Sequence, residues 1–138
     1  MAYKIVLISL IHRNNKKELL LVKRKREPGK DLWSLPGGVG ALEEEKDPFK
    51  AVHIEVMGDF STRYECGLFT VRFERQEEIL HFYFEGIIDR EPEIKENSKT
   101  MKETKWFPVE EVLDMKLTFE ELDKPVIKEF CDKQSHIG

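Results

Sequence analysis

One helix, opened by Asp47-Pro48, stands between two blocks of strand-like sequence, and that order leaves few folds open. Aspartate is a good N-cap, and proline suits the first helical position. Phe49, Val52, His53, Val56 and Phe60 then fall at i, i+3, i+4, i+7 and i+11, which predicts one buried helix face. Gly58 interrupts this pattern and weakens it by roughly 1 kcal/mol relative to alanine.

Ahead of the helix, residues 3–11 form an Ile/Leu/Val-rich run that predicts a buried strand. Asn14-Asn15 signals a turn, and Glu18–Lys23 predicts a second strand pairing back on the first. Glu27-Pro28-Gly29-Lys30 breaks the chain before an extended piece from Leu32 that ends in the Pro36-Gly37-Gly38 turn. A polar loop, Leu42–Lys46, leads into the helix. Beyond it, residues 67–74 and 79–88 predict a hairpin around Arg75–Glu78, and 89–102 reads as a loop. A short strand over Glu103–Phe107, a helical turn from Pro108, and a last helix from about Phe119 to Cys131 complete the reading. Leu122, Val126, Ile127 and Phe130 form its apolar stripe, and residues 134–138 are expected to be loose. The class is therefore α+β, with a mixed central sheet, a central helix and a C-terminal helix in one domain over 1–138.

A chain of 138 residues buries a core without staples, and 40% hydrophobic against 36% charged residues excludes a disordered class. The net charge of −4 carries no strong nucleic-acid signal. Cys66 and Cys131 match no zinc or redox spacing and read as free, buried thiols. No run approaches the roughly 20 apolar residues of a membrane span, and the opening MAYKIVLISLI reads as a strand, not a signal peptide. A cytoplasmic protein is expected.

Leu35-Pro36-Gly37-Gly38, then a glutamate, then a helix opening on proline, resembles the Nudix hydrolase superfamily. Its box reads G-x5-E-x7-R-E-U-x-E-E-x-G-U, where U is apolar. Gly38 and Glu44 match the first half. Strict counting from Glu44 would put Val52 and His53 in the Arg-Glu positions. Allowing two extra loop residues instead keeps Pro48 and Ala51 in family-like places and preserves the helix stripe. In that register Ile54 replaces the arginine, Glu55 matches the first glutamate, and Val56 fills the apolar position. Gly58 and Asp59 replace the Glu-Glu pair, and Ser61 replaces the final glycine. Leu21-Val22 with Arg24, Trp33 before the turn, and Glu103–Glu111 (ETKWFPVEE) extend the resemblance over roughly residues 4–130.

The resemblance implies an α/β/α sandwich and cleavage of a nucleoside diphosphate derivative with Mg2+ or Mn2+. Such cations neutralise phosphate charge, activate water and take oxygen ligands. Where the family's helix supplies carboxylates at i, i+3 and i+4, this chain keeps Glu55 and Asp59 and has Gly58 between them. The implied metal ligands are Glu55, Asp59, the Gly38 carbonyl and Glu103, with Glu44 a catalytic candidate beside Glu55 and Asp59. Glu43 and Glu45, its neighbours in the same loop, are lesser candidates to approach the metal, since a run of glutamates in a loop reads first as solvated surface. Arg24, Arg26, Trp33, Gly37 and Gly38 are the candidate substrate-binding residues, and Lys30 is a further cation near the turn. Phe82 and Tyr83 read as core, His53 as core or core margin, and His81 as facing solvent or a cleft. Ile54 cannot orient a carboxylate as arginine would. The box is degenerate, so three outcomes stay open: a divergent hydrolase, a catalytically inactive nucleotide-binding module, or a protein-interaction module. A homodimer is possible in each.

Overall fold

The computed structural model describes residues 3–135, and the expectation of a loose tail lies, for residues 136–138, outside them. Contacts group the chain into two compact units. One holds the described residues up to Ile11 together with Pro36–Lys95; the other holds His12–Leu35 and the described residues from Glu96 onward.

In the first unit, β1 (Lys4–Arg13) runs parallel to β6 (Ile79–Ile88), from Lys4 opposite Ile79 to Ile11 opposite Gly86. Leu7, Ile8, Leu10 and Ile11 of β1 are all buried. An apolar run with no alternation fits a strand covered on both faces. β5 (Tyr64–Glu74) pairs antiparallel with β6 on its other side, with an irregularity between Leu68 and Thr70. The expected hairpin is there, but β5 begins at Tyr64. A two-residue strand, β4 (Gly37–Gly38), pairs with Leu7 and Ile8 of β1. Gly37 is required there, because a Cβ would stand 2.5 Å from the Leu7 carbonyl oxygen.

The central helix α1 spans Pro48–Phe60, capped by the Asp47 side chain accepting from the Phe49 N–H at 2.9 Å. Ser61 ends it in the left-handed conformation, φ 56°, with its N–H on the Met57 carbonyl. That conformation favours glycine, so Ser61 occupies the place where the box has its final glycine. Ala51, Val52, Val56 and Phe60 form the buried face. Two members of the expected stripe differ. Phe49 is 51% exposed, because at the first turn it only leans edge-on against Phe82 and Phe84. His53 is exposed beside the Tyr64 ring, not in the core. The stretch Leu42–Lys46, expected as loop, begins inside a 3-10 turn over Gly40–Glu43, which takes its first two residues.

In the second unit, β2 (Glu18–Arg24) pairs with β3 (Trp33–Ser34) on one side. On the other it pairs with β7 (Met101–Pro108), which starts two residues before the expected strand. The pairing of β2 back on β1 is confined to His12 with Leu19 and Arg13 with Glu18. Two helices follow, α2 (Val109–Asp114) and α3 (Glu120–Ser135). α3 buries Val126, Ile127 and Phe130 as the stripe predicts, but Leu122, in its first turn, is only half-buried. Both cysteines are free, as expected, but half-buried. The α+β class, the mixed pairing, the central helix and the C-terminal helix are those predicted.

Candidate active site: a carboxylate pair beside the Pro-Gly-Gly turn

Residues four apart on a helix share a face, so α1 points Glu55 and Asp59 the same way. Val56 and Phe60, one position further along, anchor the helix in the core. The acids are thereby held at the margin, half-buried. Glu55 lies directly against the Gly38 backbone, so a Cβ on Gly38 would stand 2.2 Å from Glu55 Oε1. Glycine is therefore needed at 38 for the carboxylate to approach. The other oxygen, Oε2, accepts from the Ala41 N–H at 3.3 Å. The Pro-Gly-Gly turn and the 3-10 turn thus cradle one carboxylate between them.

Burial disfavours both charges. It raises the Glu55 carboxyl above its ordinary value, while the Ala41 N–H pulls it partly back. Asp59 is pushed up to about 7, first by burial, then by the Glu55 charge, and against the pull of Lys95. Two acids with raised pKa values in one half-buried place suit a bound cation, which would reverse both causes. Carboxylate oxygens are hard donors. Mg2+ keeps several waters and takes one or two carboxylates along with substrate phosphates, so the pair fits that ion. Among the described residues no three His, Cys, Asp or Glu side chains come together as a metal-holding group.

Gly58 explains the missing donor. A Cβ there would meet nothing within 4 Å, so the helix has room for a side chain that the sequence does not supply. Gly58→Glu is expected to fold at least as well as the parent, because the helix gains up to about 1 kcal/mol. The same change is expected to tighten Mn2+ binding roughly tenfold or more by completing the i, i+3, i+4 set. Calorimetric titration of Mn2+ into both proteins checks this. Unchanged affinity would show that position 58 does not face the ion.

The other sequence candidates are placed as follows. Glu44 is exposed just after the 3-10 turn, with its N–H on the Ala41 carbonyl. Glu43 is exposed too, while Glu45 accepts from the Asp47 N–H at 3.1 Å. These belong to the unit that holds the pair. In the other unit, Glu103 is exposed on β7 and lies 3.7 Å from Lys23 Nζ. Arg24 is half-buried with its guanidinium over the Phe119 ring, and burial lowers its pKa. Arg26 and Lys30 are exposed. Trp33 is half-buried, edge-on to Phe107 at 4.9 Å, with Lys23 over its ring. Tyr83 is fully buried, as expected of a core residue, whereas Phe82, expected as core too, is only half-buried, edge-on to Phe49. His81 faces neither solvent nor a cleft: it is buried, with Nε2 3.0 Å from Glu74 of β5.

Two participants were not legible in the sequence. The Ala41 N–H is a backbone group and leaves no residue signature. Lys95 stood in an unpatterned charged stretch; the Glu93 N–H bonded to the Phe60 carbonyl at 2.9 Å ties that stretch to the end of α1.

The NUDIX domain family model matches residues 4–130, and the chain belongs to the Nudix family. Solved structures agree on the fold. A MutT Nudix hydrolase from Burkholderia pseudomallei superposes with a TM-score of 0.72 at 22% identity, over 94% of this chain and 98% of that one. The MutT protein of Methanosarcina mazei Go1 gives 0.74 at 23%, over 95% and 94%. The Nudix domain of Shewanella oneidensis NrtR, solved with ADP-ribose, gives 0.74 at 16%, over 96% and 89%. No curated protein matches the chain by sequence.

Proposed function

We propose that the protein is a divalent-metal-dependent Nudix hydrolase that works with two helix carboxylates and cleaves a phosphoanhydride bond in a nucleoside diphosphate derivative. The observation that carries this reading is the Glu55–Asp59 pair, half-buried on one face of α1, with Glu55 cradled by Gly38 and the Ala41 N–H. Glu55 and Asp59 would hold Mg2+ or Mn2+, with the Gly38 backbone adjacent. A bound ion would supply charge neutralisation and an activated water. Lys95, whose charge already acts on Asp59, offers a cation to a substrate phosphate. Glu44, exposed after the 3-10 turn, is the candidate base.

A second reading has its own support. Gly58 and Ile54 stand where the family box has a carboxylate and an arginine, which favours a module that binds a nucleotide without cleaving it. ADP-ribose, the ligand in the NrtR cocrystal, is the first compound to try. Incubation with ADP-ribose and a panel of nucleoside diphosphate derivatives, with Mg2+ or Mn2+, decides between them. Product release that depends on metal supports the hydrolase. Calorimetric binding with no product after long incubation supports the module.

A further inference from the structure

We propose that a second copy of this chain docks on the outer edge of β5, the two β5 strands pairing antiparallel about a two-fold axis between Leu68 and Phe69. β5 ends its row of strands: β6 pairs with one side, and among the described residues no strand takes the other. Such an edge presents unpaired backbone donors and acceptors to any extended partner. Over its 11 residues the strand carries neither lysine nor proline, two common protections of an edge. It instead exposes apolar side chains, Leu68, Val71 and Phe73 among them.

Charge selects the partner. With the axis between Leu68 and Phe69, each residue meets the one whose number completes 137. Arg63 then lies opposite the second copy's Glu74, and Glu65 opposite its Arg72. Four pairs of opposite charge form across one symmetric contact. Sliding by two residues in either direction loses this. One slide sets Glu65 against Glu74, and the other sets Arg63 against Arg72. A sequence complementary to itself in one register fits a second copy of itself.

The irregularity in β5 makes that register geometrically consistent. In an unbroken strand, an axis between two residues would set opposite faces against each other, because side chains alternate. Phe69 is an extra residue, since Leu68 pairs with Phe84 and Thr70 with Tyr83. The insertion resets the alternation. Val71 and Phe73 thus share a face with Leu68, and Arg72 and Glu74 share the other with Glu65. In the proposed pair Phe73 meets Tyr64, and the charged face meets the charged face. Within its own strand Arg72 Nη1 donates to Thr70, and Glu74 lies 3.0 Å from His81 of β6.

Sedimentation velocity on the full chain, over a range of concentrations and salt, tests the contact. The parent is expected to dimerise, and more weakly at high salt. Glu65→Arg and Arg72→Glu alone are each expected to weaken the dimer roughly tenfold or more, by opposing like charges. Mixing the two single variants restores complementarity across the axis, so a heterodimer is expected where neither variant self-associates. The double variant is expected to dimerise like the parent. Circular dichroism confirms folding of each variant. A parent monomeric throughout, single variants that dimerise like the parent, or a mixture that stays monomeric would each overturn the proposal.

Discussion

Glu55→Gln is expected to lower metal-dependent turnover by roughly a hundredfold or more while leaving the protein folded. The magnitude follows from position: loss of a residue that merely supports a metal ligand costs about 10–100-fold, and a ligand should cost at least that much. The fold should survive because glutamine keeps the shape and an oxygen that can accept from the Ala41 N–H. The variant also removes the charge that helps to raise the Asp59 carboxyl. Its melting temperature without metal should therefore equal or exceed the parent's. Initial rates at saturating Mg2+, with a thermal melt on the same preparation, check both halves. A variant within threefold of the parent rate would remove Glu55 from the site.

Asp59→Asn should act on stability in the opposite direction to most substitutions at a half-buried site. The folded carboxyl is pushed up to about 7, well above the ordinary aspartate value of 3.8. The folded state therefore holds its proton more tightly than the unfolded state does. Stability from this group is full below pH 4, falls as pH rises through about 7, and is flat beyond. At pH 8 the ionised Asp59 is a cost, which asparagine removes. The metal-free variant is expected to be more stable than the parent at pH 8 by about 1–3 kcal/mol, discounted for partial solvent screening. Near pH 4 the difference should shrink towards zero. Added Mn2+ should reverse the order at pH 8, because a bound ion stabilises the native state by mass action and only the parent keeps both acids. Chemical denaturation at the two pH values, with and without Mn2+, measures this. A less stable variant in metal-free buffer at pH 8 would show that burial does not burden Asp59.

The fold was largely written in local pattern. The β1 run, the Asp47-Pro48 start of α1 and the α3 stripe were read directly, since each rests on propensity and period alone. The misplacements have specific causes. Phe49 and His53 satisfied a helical period, but the sheet beneath α1 covers only the face of Ala51, Val52, Val56 and Phe60, and a period does not say where cover stops. His81 looked like an alternating, outward residue because the strand pattern cannot show that Glu74 on the neighbouring strand would meet it. At the site, the choice of box register depended on two extra loop residues. Ser61 in the left-handed conformation at the end of the helix supports that choice independently. The contributions of Ala41 and Lys95 depend on how turns bring backbone and charge to α1, and no residue pattern encodes that.

In the proposed hydrolase, Glu55 and Asp59 together hold a divalent cation. The most direct measurement is the loss of the free-ion electron paramagnetic resonance signal as Mn2+ is titrated into the parent at pH 8, with Glu55→Gln and Asp59→Asn beside it. Saturable binding in the parent, weakened at least tenfold in both variants, is the expected result. Equal binding in all three proteins, or none in the parent, would contradict it.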